Sequence, residues 1–265
     1  LLAHLRAELD RRGIDLPLYW GNRNSAPFFA DALREAHADG RRDVLALATS
    51  AYSSYSGCRQ YRENLAGALD QAGLGDDVRV RKARPYYARG GFSEPFAAGI
   101  AAAIGDERAA GTAPDAIRVL FTTHSVPVSM AEGSGPDSLH HGLPGLYERQ
   151  HLETAERAMD AALATTGMPA VDWRLVFQSR SGPPTMPWLE PDIGDAVREA
   201  AADGMTAVIV VPMPVCEDEA ECDEALKKFL HEMGAEPAVQ AKLSVMPSTL
   251  PPETTTVVLE SRGKA

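Results

Sequence analysis

Short apolar runs alternate with longer amphipathic segments along most of this chain, and this alternation limits the folds open to it. The apolar runs have the length of buried strands, and the amphipathic segments have the spacing of helices. Strands separated by helices favour βαβ units, in which the strands are parallel and helices cover both faces of the sheet. The sequence therefore predicts an α/β fold built from parallel sheets flanked by helices.

The order of these segments also predicts two domains. The expected strands are residues 16–20, 44–49, 78–83, 117–122, 173–178 and 207–212. The expected helices are residues 1–12, 27–38, 58–72, 94–104, 146–165, 193–202 and 217–233. Residues 105–116, rich in Gly, Ala, Asp and Pro, divide the series, so we expect domains at 1–105 and 106–265 with a cleft between their sheets. Because the sequence opens inside a helical pattern without Met, we expect the first domain to lack an N-terminal piece.

The composition excludes several classes of protein. Hydrophobic residues make up 45% and charged residues 24% of the 265, as in a globular enzyme. The net charge of −11, without a cluster of Lys or Arg, argues against nucleic acid as a partner. No apolar stretch approaches the roughly 18 residues that span a bilayer, and no signal peptide is recognisable. Three cysteines do not make a disulfide framework, so we expect a cytoplasmic protein.

His124 is the first candidate for chemistry, because it follows the apolar run at residues 117–121 after two threonines. A strand there would place the imidazole at its carboxyl end, where open α/β sheets bind ligands. We expect Pro127 to prevent a helix from starting at once. A histidine can accept a proton near neutral pH, so His124 is a candidate base. The alternative is a hydrogen-bonded structural histidine.

Two other expected strand ends carry groups suited to an anionic or aromatic ligand. Arg23 lies between two Asn residues, where its guanidinium could bind a carboxylate or phosphate, although Gly-Asn sequences also form simple turns. Residues 49–59 are rich in hydroxyls and include Tyr52, Ser53 and Cys58. Hydroxyls before a helix suit an anion, and tyrosine rings could stack on a planar ligand. The alternative for this loop is capping of the next helix by serine.

An acidic segment opens the last expected helix, with six carboxylates in the eight residues 217–224. Glu217, Glu221 and Glu224 would share one helix face, where like charges repel unless they are solvated or bind cations. Oxygen ligands of this kind suit Fe²⁺ or Mg²⁺. The favourable interaction of acids with the helix dipole is the alternative, and it explains the first turn only.

Five segments together resemble the ferrochelatases. They are residues 19–24 (YWGNRN), 121–127 (FTTHSVP), 147–150 (YERQ), 178–184 (QSRSGPP) and 187–192 (PWLEPD). The resemblance runs in order over about residues 1–212 and implies two Rossmann-like domains with a porphyrin in the cleft between them. Residues 49–58 are most similar to the actinobacterial branch, which implies coproporphyrin III as the substrate and coproheme as the product.

The resemblance also implies roles for particular residues. His124 and Glu221 are the expected catalytic pair, with His124 taking a pyrrole proton or meeting the metal first. Arg23, Tyr52 and Ser53 are expected to contact the porphyrin or its propionates. The chain departs from the family at residues 217–219, where Glu-Asp-Glu stands in place of the usual Ser-Asp-His.

The expected enzyme is thus a ferrochelatase of heme biosynthesis, a lyase whose partners are a porphyrin and ferrous iron and which acts as a monomer. Two alternatives remain open at this point. One is a tetrapyrrole chelatase for cobalt or nickel, since His plus carboxylate does not specify the metal. The other is a non-catalytic porphyrin- or heme-binding protein on the same scaffold.

A [2Fe–2S] cluster is a further implication of the actinobacterial resemblance. Those members use one Cys at the position of Cys58 and three near the C-terminus, so Cys58 would be a ligand provided that other cysteines reach it. The remaining cysteines, Cys216 and Cys222, fall at the acidic helix. The alternative is a small apolar Cys at the start of a helix.

Overall fold

The structure is a computed structural model that describes residues 2–135, 145–183 and 185–213, and the backbone of 241–243 and 255–259. Its contacts divide the chain into two compact units, one formed by residues 1–48 and 56–84 and the other by 49–55 and 85–265. This division differs from the expected boundary near residue 105, because the helix that covers residues 90–109 packs within the second unit. The domain limits 1–105 and 106–265 stay a prediction.

The first unit pairs a small sheet with two packed helices. Its elements are α1 (Leu2–Arg11), α2 (Phe29–Ala38), β1 (Asp43–Ala46), α3 (Tyr61–Ala72) and β2 (Arg79–Lys82). β1 and β2 are parallel, and a π-helical segment, Tyr55–Gln60, leads into α3. Leu33 of α2, Ala68 of α3 and Val78 form an apolar core. Gly73 ends α3 with a φ of 68°, a left-handed conformation that glycine adopts without strain.

The second unit contains a five-stranded sheet. Its elements are α4 (Gly90–Ala109), β3 (Ile117–His124), α5 (Val128–Glu132), α6 (Leu146–Thr166), β4 (Asp172–Gln178), α7 (Ile193–Ala202), β5 (Ala207–Pro212), β6 (Ala241–Leu243) and β7 (Thr255–Leu259). The strand order is β4-β3-β5-β7-β6. β3 is parallel to both β4 and β5, whereas β7 is antiparallel to β5 and β6.

The central strands of this sheet are buried on both faces. Side chains alternate along a strand, so Val119 and Phe121 of β3 belong to the core that α4 and α6 complete. Leu120, between them, belongs to the core on the opposite face, where Ile193 and Val197 of α7 pack. The apolar runs seen in the sequence are therefore strands covered by helices on both sides.

The predicted α/β class, with parallel strands flanked by helices, is confirmed. The strand predicted at residues 16–20 is wrong, because these residues form no ladder and Leu16 is 60% exposed. The expectation that Pro127 would delay a helix is also wrong, since α5 begins at the next residue. A proline just before a helix removes no helical hydrogen bond. The helix predicted at 217–233 lies outside the described residues.

The antiparallel strands β6 and β7 were not predicted. They fall after residue 233, where the last predicted helix ends. Neither strand is a long apolar run, and β7 extends the sheet beside the strongly apolar β5. Within the described residues, none of the helices combines the length and the apolar character that a membrane span requires.

Candidate functional site

His124 is the last residue of β3, and its register partner is Gln178, the last residue of β4. The two carboxyl ends therefore meet at one edge of the sheet, where α/β folds bind ligands. The imidazole is partly buried, and this burial lowers the pKa of His124 below its ordinary value of 6.5. No side chain in the described part of the chain hydrogen-bonds the ring. His124 is therefore a neutral base at pH 7 that is available to accept a proton.

The backbone around His124 is fixed by hydrogen bonds from three directions. The Tyr147 hydroxyl donates to the His124 carbonyl at 2.8 Å. The amide of Ser125 donates to the Gln178 carbonyl at 2.7 Å, and the Ser125 hydroxyl donates to the Leu189 carbonyl at 3.0 Å. The position of His124 thus depends on α6, on β4 and on the loop that follows β4.

One face of α6 is polar and buried, although helix faces that meet a core are usually apolar. It consists of Tyr147, Gln150, His151 and Thr154, at the i, i+3, i+4 and i+7 spacing of a single helix face. His151 Nδ1 lies 2.7 Å from the Tyr147 carbonyl, and His151 Nε2 lies 3.0 Å from Thr123 Oγ1. Complete burial lowers the pKa of His151 to about 3, so its ring is uncharged at neutral pH.

These contacts fix the tautomer of His151. A carbonyl oxygen can only accept, so Nδ1 carries the proton and donates it to the Tyr147 carbonyl. Nε2 then accepts from the Thr123 hydroxyl. The Tyr147 hydroxyl stays protonated because burial raises the pKa of the phenol, and it donates to the His124 carbonyl.

Tyr52 and Ser53 lie in the second unit and face this helix. The Tyr52 ring is 1% exposed and stacks on the His151 ring, with centroids 3.6 Å apart and planes 20° apart. The Ser53 amide donates to Gln150 Oε1 at 2.6 Å, and Gln150 Nε2 donates to Ser53 Oγ at 2.9 Å. Both residues are thus buried against α6. Their contact with a porphyrin stays a prediction.

Arg23 and Cys58 belong to the first unit. The Arg23 guanidinium lies over the Tyr61 ring, 4.1 Å from its centroid, and donates to Ser56 Oγ at 3.1 Å and Gln60 Oε1 at 3.4 Å. Cys58 is a free, half-buried thiol in the π-helical segment. Segments of this kind are frequent at functional sites.

The loop between β4 and α7 packs against the residues that follow His124, namely Ser125 and Pro127. It begins with Ser179 in a left-handed conformation, φ 61°, which a non-glycine residue adopts at a cost. Trp188 packs against Gly182, where a Cβ atom would lie 2.3 Å from the indole ring. Together with Ser125 and Asp192, this loop lines a cavity of about 570 Å³.

The structure brings together only part of the predicted site. Glu221, Cys216 and Cys222 lie outside the described residues, and within the described ranges no group of three or more His, Cys, Asp or Glu side chains could hold a metal. Sequence reasoning gave no role to Thr123 or His151. The polar residues at helical spacing within the amphipathic segment at 146–165 were the signal that could have identified this face.

Comparison with known proteins gives consistent results. A family model described as Ferrochelatase matches residues 1–248. The chain is 48% identical over 224 residues to the "Coproporphyrin III ferrochelatase" of Streptomyces coelicolor. The aligned region covers 83% of this chain and 58% of that protein. It is 40% identical over 239 residues to the "Ferrochelatase" of Rhodopirellula baltica, and the aligned region covers 88% of this chain and 62% of that protein. The chain therefore spans less than two thirds of the length of these relatives.

A solved structure of SirB from Bacillus subtilis with Fe³⁺ is also similar, with a TM-score of 0.46 and 11% identity over 88% of this chain and 77% of that chain.

The neutral, buried state of His151 predicts a specific loss of stability in acid. The unfolded chain binds a proton on this histidine below pH 6.5, whereas the folded chain binds it only near pH 3, so stability falls as the pH drops through this window. We expect the wild type to lose about 2 kcal/mol more than His151→Gln on going from neutral pH to about pH 5. Urea unfolding at several pH values measures the difference, and equal pH slopes for the two proteins would contradict it.

Proposed function

We propose that this chain, which belongs to the ferrochelatase family, inserts Fe²⁺ into a porphyrin in heme biosynthesis. The observation that carries the proposal is the neutral imidazole of His124 at the carboxyl ends of β3 and β4. The relative from Streptomyces coelicolor is named a coproporphyrin III ferrochelatase, which supports coproporphyrin III as the substrate and coproheme as the product.

Metal insertion is first of all a problem of proton removal. A porphyrin must lose two pyrrole N–H protons as two of its nitrogens become anionic ligands, while Fe²⁺ gives up its bound water. The reaction balances as porphyrin plus Fe²⁺ giving metalloporphyrin plus two protons. A neutral base held beside the macrocycle accelerates this step, because proton transfer then needs no diffusing acceptor.

His124 is the proposed acceptor for a pyrrole proton. Its lowered pKa keeps the ring unprotonated at pH 7, so it does not repel an approaching cation and can bind it transiently. Glu221 is the proposed partner, which would contact Fe²⁺ or take the second proton, on the strength of its match to the family's catalytic glutamate. A carboxylate lowers the cost of bringing Fe²⁺ out of water, because oxygen ligands replace the lost hydration.

Arg23 is the proposed anchor for a porphyrin propionate. Its guanidinium is preorganised by the Tyr61 ring and by Ser56, so little side-chain entropy remains to be lost on binding a carboxylate. Tyr52 and Ser53 are proposed to support the porphyrin site indirectly, through α6, since both are buried against that helix.

The chain's own residues do not fit a [2Fe–2S] cluster. Such a cluster normally takes four thiolates, and the sequence has three cysteines. Cys58 is the one that lies in the described part of the chain, where no group of three or more His, Cys, Asp or Glu side chains could hold a metal. We therefore propose no catalytic role for Cys58.

We also propose that the protein acts in the cytoplasm and as a monomer. The low cysteine content supports a reducing compartment. One copy of the chain supplies both His124 and Glu221, so the reaction as written requires no second subunit.

Replacement of the base gives the most direct test of the activity. We expect His124→Ala to lower the rate of Zn²⁺ insertion into coproporphyrin III by on the order of 100-fold or more, because general-base catalysis is lost. Insertion is followed by the change in porphyrin fluorescence. His4→Ala, at an exposed histidine of α1, is the matched control and should retain the wild-type rate.

A His124→Ala protein that keeps more than about a tenth of the rate would place the base elsewhere. A thermal melt of each variant shows whether the loss reflects unfolding. Porphyrin binding without insertion by the wild type would indicate a binding protein. Insertion of Co²⁺ or Ni²⁺ in preference to Fe²⁺ and Zn²⁺ would indicate another chelatase.

The acidic segment provides a second test with a matched pair of variants. We expect Glu221→Gln to slow insertion with little change in porphyrin affinity, because the amide keeps the shape but neither binds the metal as well nor accepts a proton. Glu217→Gln, four residues earlier in the sequence, should be much less damaging. The two variants are compared by their kcat and their porphyrin Kd. If Glu217→Gln is damaging and Glu221→Gln is silent, the match of Glu221 to the family's catalytic glutamate is wrong.

A further inference from the structure

We propose that Tyr147, Thr123 and His151 are positioning residues for His124, which they hold through the backbone at the end of β3. The proposal rests on the proposed function only in taking His124 as the base. Each of the three is at most 1% exposed, so none of them can touch a porphyrin or a metal ion directly. Their action must pass through the residue that they fix.

The His124 carbonyl lies at the very end of β3. Within the described residues, the pairing of β3 with β5 reaches Thr122, two residues before His124. The Tyr147 hydroxyl meets the His124 carbonyl at 2.8 Å and therefore anchors the strand end from α6. The same hydroxyl lies 3.3 Å from Thr123 Oγ1, so two consecutive residues of β3 are tied to one phenol.

His151 orients the Thr123 hydroxyl. As a neutral imidazole it donates through Nδ1 to its own helix and accepts through Nε2 from the Thr123 hydroxyl. With that hydroxyl proton donated to His151, Thr123 Oγ1 can only accept from the Tyr147 hydroxyl, whose shorter contact, 2.8 Å against 3.3 Å, is with the His124 carbonyl. The Tyr52 ring covers the His151 ring and holds its plane. The result is a hydrogen-bonding pattern that fixes the donors of His151 and Thr123 and places the Tyr147 hydroxyl against the end of β3.

Stability alone does not account for this network. α6 is already attached to the core by Ala155, Ala158, Met159 and Ala162, all of them buried. Replacing buried polar partners by apolar groups of the same shape is often neutral or stabilising, whereas buried polar networks define one geometry. This network fixes the backbone of His124, the proposed base. A fixed position matters there because small misplacements of a catalytic group lower the reaction rate.

Thr123 allows a test with matched substitutions. Thr123→Val keeps the shape but removes the hydroxyl, and Thr123→Ser keeps the hydroxyl. Tyr147→Phe removes only the phenolic oxygen. Thr154→Val is the control, because it also removes a buried hydroxyl from α6, but one that bonds the Gln150 carbonyl of its own helix.

We expect Thr123→Val and Tyr147→Phe to lower kcat for Zn²⁺ insertion by roughly tenfold or more, with the porphyrin KM changed less than about twofold. Thr123→Ser and Thr154→Val should stay within about twofold of the wild type. Equal losses in Thr154→Val and Tyr147→Phe at the same melting temperature would overturn the proposal, as would a failure of Thr123→Ser to restore kcat.

Nitrogen-15 NMR of the histidines separates this proposal from the proposed function. It should show His151 protonated on Nδ1 only, and the His124 ring signals should move in Tyr147→Phe and Thr123→Val but not in Thr154→Val. These results can be obtained even if the protein inserts no metal, in which case only the proposed function fails. His124 signals that are unchanged in all three variants would overturn the positioning role whatever the activity.

Discussion

The burial of an uncharged imidazole, that of His151, is the constraint on which the candidate site depends. Among the described residues a charged ring in that position would have no counter-ion, and its desolvation would be costly, so both nitrogens are satisfied by neutral partners. The Tyr147 carbonyl and the Thr123 hydroxyl are those partners. Because Thr123 directly precedes His124, this requirement brings α6 and the end of β3 into a fixed register.

His151 and His124 differ in how far they are buried, and this difference matters for the chemistry. His151 is wholly enclosed, its single ring N–H donates to the Tyr147 carbonyl, and its other nitrogen accepts from Thr123. His124 is only partly buried, and its ring extends from a backbone that other groups hold. In the proposed reaction His151 fixes the geometry and His124 is the base. Burial lowers the pKa of both side chains, but only for His124 does the lowered pKa leave a base within reach of a ligand.

The sequence predicted the parts of the molecule that depend on strong periodicity. β3 and β5 are long apolar runs and formed as expected, with His124 at a strand end. The strand at 16–20 failed because a strand needs a neighbour as well as apolar residues. Tyr52 was expected to stack on a planar ligand, and in the structure its ring stacks on that of His151. The role of His151 itself depends on contacts with distant residues, which no local pattern records.

The central claim is that His124 acts as a neutral base whose pKa is held below its ordinary value. The pH dependence of kcat/KM for metal insertion tests it directly, since this ratio reports the ionisation of the free enzyme. We expect the rate to fall on the acid side with a midpoint below pH 6.5, and we expect the residual activity of His124→Gln to lack that step. A midpoint at or above pH 6.5, or the same acid step in His124→Gln, would contradict the account.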